Sequence, residues 1–298
     1  MKESSRVGSE GRDIRNTRWF ILSGITTTHV LFHAFQQSLL VLLPNLRATF
    51  KLSNVQTTSI VAVQEIVAGC IDLPGGVAMD LLKRHWGLVM TLCMASVGIG
   101  WLVVGLSPVY TVLVSGLAIV AAASSLWHLP AMAVLSNRFA GRRGFALSVY
   151  GIGGNVGDII GPAVTGLLLG VVGWRGIINI YALIPFFLTF LVFWAFFHIG
   201  RVGQKQNQVL TKEALQKQLL YIKHMIRNRT LVGLILVAGI RGMAFVAFTV
   251  VISLYAKDVI NLNGPTRGLY LSLMSLAGLV SSPILGHLSD RFGRKWVL

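Results

Sequence analysis

The chain has 298 residues, of which 54% are hydrophobic and only 12% charged, with a formal net charge of +16. A soluble domain carries roughly 25% charged residues; half that share, with a mean hydropathy of +0.71, excludes an ordinary soluble protein. In a soluble chain such a charge points to nucleic acid, but here the bases sit between apolar runs, several of which reach the roughly 20 residues needed to cross a bilayer core. The composition therefore predicts an all-α polytopic membrane protein whose first partner is the lipid bilayer, with no nucleic-acid partner.

Residues 1–18 form a polar tail with five bases, without the apolar core of a signal peptide. Eight spans follow, at about 19–43, 55–78, 86–106, 109–135, 145–172, 176–198, 230–255 and 266–286. "SPV" (107–109) and "GWRG" (173–176) are short links, whereas 200–229 is a long polar connection. The expected organisation is a tail (1–18), a six-helix bundle (19–199), a linker (200–229) and a partial second bundle (230–298). In the linker, Leu215, Leu219, Ile222 and Ile226 recur at helical spacing opposite Lys212, Lys217 and Lys223, which reads as an amphipathic helix on the inner leaflet or a solvated tether. Cys70 and Cys93 both fall inside apolar spans and read as small hydrophobes.

Lysine and arginine set the orientation. Of the 26, twenty fall in the tail, the linker and three loops on the same side. Five (Arg47, Lys51, Arg175, Lys257 and Arg267) fall on the other side, and Arg241 lies within a span. This predicts a multi-pass protein of the plasma (inner) membrane with a cytoplasmic N-terminus.

Two charged loops repeat. The second reads Gly286-x-x-x-Asp290-Arg291-x-Gly293-Arg294-Lys295, and the first Gly76-x-x-x-Asp80-Leu81-x-Lys83-Arg84. Each follows the second helix of its group, the mark of two repeated bundles. Glycines permit a sharp turn, the bases stay with the anionic leaflet, and each Asp can face a helix N-terminus.

In these residues the chain resembles the major facilitator superfamily, whose signature loop between helices two and three reads G-x-x-x-D-R-x-G-R-[RK]. The second copy matches every defining position; in the first, Leu81 replaces the Arg and Lys83 a Gly. The resemblance implies twelve helices in two bundles, with Asp80 and Asp290 latching the bundles on the cytoplasmic side and Asp290 facing the start of helix five. Against twelve, the eight predicted spans imply a C-terminally truncated product or gene fragment.

Residues 124–166, "SSLWHLPAMAVLSNRFAGRRGFALSVYGIGGNVGDIIGPAVTG", are similar to the fosmidomycin-resistance branch of that superfamily. The likeness rests on Trp127, His128 and Pro130, on Arg142-Arg143-Gly144, and on Gly151 to Pro162. Helix five also resembles the antiporter motif G-x-x-x-G-P at Gly157, Gly161 and Pro162. Gly153, Gly157 and Gly161 lie four apart on one face, and small residues at that spacing let backbones approach. Gly278, Ser282 and Gly286 form a similar stripe in the eighth span, and since these two helices meet between bundles in this fold, a sliding contact of the two stripes is expected.

Ionisable and polar groups within spans are costly and mark function. The substrate or cavity candidates are His29, His33 and Gln36 on one face of the first span, Trp127 and His128 on the fourth, and Arg241 on the seventh. Glu65, Asp72 and Asp158 are candidates for ion coupling. The arginine that drug antiporters carry early in helix four is missing near Ser115. No phosphate-binding loop, metal-ligand cluster or nucleophile–base pair stands at recognisable spacing, so no cofactor, metal or enzymatic activity is expected. The resemblance implies a secondary transporter of a small organic molecule, exporting it against protons as a monomer. The alternatives are an organic-anion or monocarboxylate symporter and, in another class, a non-transporting membrane remnant.

Overall fold

The computed structural model describes residues 13–200, 216, 220 and 223–293, apart from the side chains at 73, 282–283, 286–287 and 289–290. Among these residues stand eight long helices: α1 (Arg18–Phe50), α2 (Asn54–Leu81), α3 (Trp86–Leu106), α4 (Tyr110–Arg138), α5 (Arg143–Leu169), α6 (Gly173–Phe196), α7 (Arg229–Asp258) and α8 (Gly264–Phe292). Each of the expected runs falls on one of these helices. Five of them (α3 to α7) are long and apolar enough to cross a membrane, and α2, bent by 43° ahead of Pro74, makes six when its halves are joined. The expected amphipathic helix of the linker lies largely outside the described residues.

Local chemistry fixes the ends. Thr17 caps α1, and Ser53 with Gln56 forms a reciprocal capping box at the start of α2. Lys51 ends α1 in the left-handed region at φ 53°. Arg175 donates to Gly105 O at 2.7 Å and Ser107 O at 3.0 Å, capping the last turn of α3 from the start of α6. Gly173, at φ 70°, makes the reversal into α6, so the expected link at 173–176 is already the helix's first turn.

The largest departure from expectation is in α1, which does not stop at Leu43 but runs through Pro44 to Phe50. Proline lacks the N–H that would satisfy the carbonyl four residues back. Here that carbonyl, on Leu40, instead accepts the hydroxyl of Ser253 from α7. The helix is tolerated because another element supplies the missing donor.

Packing is dominated by α1 on α5, α3 on α4 and α6, α2 on α4, and α5 on α8. The core is lined by large apolar side chains with no exposure, among them Ile25, Leu42, Met90 and Trp101. A polar knot crosses it: Thr165 donates to Ser38 Oγ at 2.6 Å, and Tyr181 meets Ser38 at 3.0 Å, joining α1, α5 and α6.

The glycine stripe of α5 packs differently from expectation. A Cβ on Gly153 would lie 2.6 Å from Thr26 Cγ2; on Gly157 and Gly161 it would strike the carbonyls of Val30 and Ala34. The stripe therefore closes α5 onto α1, not onto α8. The seam with α8 starts at Pro162 and Gly166, where Gly264 and Gly268 bring the backbones together, and Ser272 donates to Ile159 O at 2.6 Å. A Cβ on Gly278 would meet nothing within 4 Å, and the packing of Ser282 and Gly286 lies outside what the structure describes. Small residues do carry this interface, at the other end of the helices.

α7 and α8 are buried against α1–α6 mainly at one end. The buried residues of α7 are Thr249, Val250 and Ser253, in its last three turns, and those of α8 include Arg267, Leu271 and Ser272, near its start. Arg47 pairs with Asp258 at 2.6 Å across this end. Arg267, expected at the outer surface, is only 3% exposed. It donates to Leu262 O at 3.1 Å and to Val41 O at 3.2 Å, with Asn45 Oδ1 at 3.4 Å. Its charge faces three oxygens, two on α1 and one in the link between α7 and α8. This closed end is opposite the tail; towards the tail, α7 between Leu234 and Phe248 is mostly exposed.

Candidate functional site

A cavity of about 230 Å³ lies among α1, α2, α3 and α4. Its wall on α1 carries His33 and Gln36, that on α2 Gln64, Glu65 and Asp72, and that on α4 Ser125 and His128. Trp101 of α3 backs it; among the described residues its indole N–H has no partner. A smaller void of about 50 Å³ shares Gln36, Gln64 and Glu65 and reaches Phe245 and Thr249 of α7. Three of the expected polar helices thus meet around one space.

The carboxylates are held differently. Ser125 donates its hydroxyl to Asp72, tying α4 to α2. Asp158 accepts from His33 Nδ1 at 2.9 Å, so it links α5 to α1. Glu65 stands on the cavity wall and is solvent-exposed.

The histidines of α1 and α4 converge. His29 lies flat on the Tyr150 ring, centroids 3.7 Å apart and planes 6° apart, and its Nδ1 meets Tyr150 O at 2.8 Å. His128 Nδ1 meets the Tyr150 hydroxyl at 2.6 Å. The His29 ring is 4.4 Å from His33 and 5.0 Å from His128. Each ring is therefore oriented by α5 through its Nδ1 atom.

Three of the expected cavity residues do not line it: His29 is buried against Tyr150, and the other two sit elsewhere. Trp127 has no exposure and packs on Phe32 in the core, so it supports the wall without lining the cavity. Its neighbour His128 takes the cavity side, about 100° round the helix. Arg241 is exposed and lines neither space, though it precedes Phe245 and Thr249 by one and two turns on the same side of α7. Sequence reasoning missed Tyr150, whose position eight residues before Asp158 puts both on nearly one face of α5.

Of the signature loops, Asp80 pairs with Lys83 at 3.7 Å, and Gly76 and Arg84 flank them at the end of α2 and in the turn to α3. Arg291 closes α8 and Gly293 follows at φ 91°, a conformation suited to glycine. The side chain of Asp290, Gly286, and all of Arg294 and Lys295 lie outside what the structure describes, so the expected contact of Asp290 with α5 does too.

The chain is 24% identical over 285 residues to the uncharacterized MFS-type transporter YfnC of Bacillus subtilis, covering 93% of this chain and 67% of that protein. It is 25% identical over 157 residues to the fosmidomycin resistance protein of Escherichia coli, covering 53% of this chain and 38% of that one. The multidrug resistance protein MdtG of Proteus mirabilis is 29% identical over 160 residues, again 53% of this chain and 38% of the relative. These alignments span between about a third and two thirds of the relatives' lengths. Among solved structures, a bacterial homolog of the human lysosomal transporter Spinster, inward-facing and unoccupied, superposes with a TM-score of 0.79 at 16% identity. That match covers 93% of this chain and 64% of the other. The Major Facilitator Superfamily model matches residues 25–298, and with the helical fold this shows that the chain belongs to the Major Facilitator Superfamily.

Proposed function

We propose that the chain acts in secondary transport, exporting a small organic molecule from the cavity between α1 and α4 in exchange for protons by alternating access. The observation that carries this reading is the His33–Asp158 hydrogen bond beside that cavity. A histidine and a carboxylate on different helices form a pair that can take up and release a proton. The opposite side of α5 seats α8, so one rigid helix joins the proton site to the contact between the two helix groups. The cavity is smaller than the roughly 300–1,000 Å³ of drug-sized sites, and the adjoining void against α7 enlarges it.

Several features set the rest of the reading. The excess of bases at the tail end favours a cytoplasmic N-terminus in the inner membrane. With α7 and α8 seated at the opposite end, the access route is cytoplasmic. The division into a tail (1–18), bundle (19–199), linker (200–229) and second group (230–298) follows the helix grouping, and a monomer suffices for it. A second reading, organic-anion movement, is favoured by Arg241, a permanent charge on the side of α7 that bears Phe245.

The test is substrate-induced proton flux in proteoliposomes, with fosmidomycin, ethidium and a monocarboxylate as separate arms. Export coupled to protons predicts flux with one of the first two compounds, lost in Asp158→Asn and reduced in His33→Gln. Flux with the monocarboxylate alone supports the second reading. An Asp158→Asn protein with wild-type coupling removes the pair from the mechanism, and no flux with any compound rejects transport of these classes.

A further inference from the structure

We propose that His29, His33 and His128 form a binding site for one divalent transition-metal ion of the zinc class, with an open coordination position toward the cavity. One ligand atom from each of the three rings lies within 4.8 Å of the other two. His29 and His33 are four residues apart on α1, the spacing that places two imidazoles on one helix face toward a metal. His128 comes from α4 and supplies the third, independent direction.

The surroundings are those of metal ligands. Each Nδ1 is already engaged: His29 with Tyr150 O, His33 with Asp158 and His128 with the Tyr150 hydroxyl. When Nδ1–H donates outward, Nε2 carries the free lone pair, and such outer partners fix the tautomer and ring orientation of metal-bound histidine. All three partners belong to α5, and one of them is a carboxylate. Between them stands Gly154, where a Cβ would lie 2.9 Å from His29 Cε1 and 3.1 Å from His33 Nε2. Any side chain there would occupy the room the imidazole tips need.

Geometry and chemistry select the ion. Tetrahedral zinc with Zn–N bonds of about 2.0–2.1 Å places ligand nitrogens ~3.4 Å apart. Rotations of the rings by about 1 Å at their tips close the observed spacing. Imidazole donors suit zinc, cobalt and nickel and do not suit magnesium or calcium, which take oxygen ligands. Three histidines leave a fourth position, and since His33 and His128 line the cavity, that position faces the space a ligand would enter. The site shares His33 and Asp158 with the proposed proton pair, but its test reads metal binding and so does not require export.

The experiment is cobalt titration of the purified full chain, carrying a tag without histidine and stripped with chelator. One cobalt ion per chain is expected, with the visible bands of an imidazole-bound ion, displaced by zinc and unaffected by magnesium. His33→Ala and His128→Ala each weaken binding more than tenfold, and Asp158→Asn by about 10–100-fold. His85→Ala, at an exposed turn, leaves it unchanged. Absence of stoichiometric cobalt, or affinity unchanged in both His33→Ala and His128→Ala, overturns the site. Should those variants not fold, carbethoxylation of the wild-type histidines, read by peptide mass spectrometry, decides the matter. Zinc must shield His29, His33 and His128 but not His85; equal modification with and without zinc overturns the proposal.

Discussion

Replacing Gly157 by alanine adds one methyl group at one of the two tightest points of the α1–α5 contact. Its Cβ would collide with the Val30 carbonyl and sit 2.8 Å from His33 Cβ and 2.9 Å from Ala34 N. Carbon atoms rest at about 3.5–4.0 Å, so α1 must recede by about 1 Å. Within a membrane, close packing is itself the main attraction between helices, and a gap of 0.5–1 Å forfeits about a quarter to a half of each contact's dispersion energy. An overpacked core site costs about 1–3 kcal/mol, which corresponds to a melting temperature lower by roughly 2–5 °C at this chain length. Gly151, on the same helix, has nothing within 4 Å of a Cβ position, so Gly151→Ala should leave the melting temperature level or slightly raised through helix propensity. The assay is thermal loss of the monodisperse peak of detergent-solubilised protein. Equal melting temperatures for the two variants would refute the close-approach argument.

Ser253→Ala removes the donor that serves Leu40 O and should cost about 1–3 kcal/mol as an unmet buried acceptor; the penalty shrinks in a Pro44→Ala background, where residue 44 regains its N–H. Additive melting shifts in the double variant would contradict this. Arg267→Gln should lower thermal stability far more than Arg47→Gln, whose half-exposed pair with Asp258 belongs to a class worth about 0–1 kcal/mol; the same melting assay compares them. For orientation, a cysteine at Lys257 should react with an impermeant maleimide added to intact cells and one at Arg138 should not, in a background with Cys70 and Cys93 replaced. The reverse pattern would invert the assignment.

The helices were legible because apolar runs separated by basic or glycine-rich links leave little choice in a bilayer. The continuation of α1 past Leu43 could not be read locally, since the donor that serves Leu40 lies over two hundred residues away. Arg267 looked like a surface base for a similar reason: only the arrival of α1 puts Val41 O and Asn45 within its reach. The stripe at Gly153, Gly157 and Gly161 announced a close contact without naming its partner, because spacing encodes a face and not what covers it. His29 and His33 declared a shared face by their spacing of four. That His128 and Tyr150 join them depends on how α4 and α5 pack around α1, which no local pattern records.

The carbonyl of Leu40 has a consequence for motion. In an uninterrupted helix it would belong permanently to the backbone four residues on; Pro44 frees it, and Ser253 occupies it only while α7 lies against α1. Parting the two helices leaves this oxygen with no donor but solvent, and a bare carbonyl in hydrocarbon is unfavourable. Separation at that end must therefore proceed together with hydration, a dry opening being unfavourable. The proline thereby ties any opening of this seam to the hydration of one carbonyl.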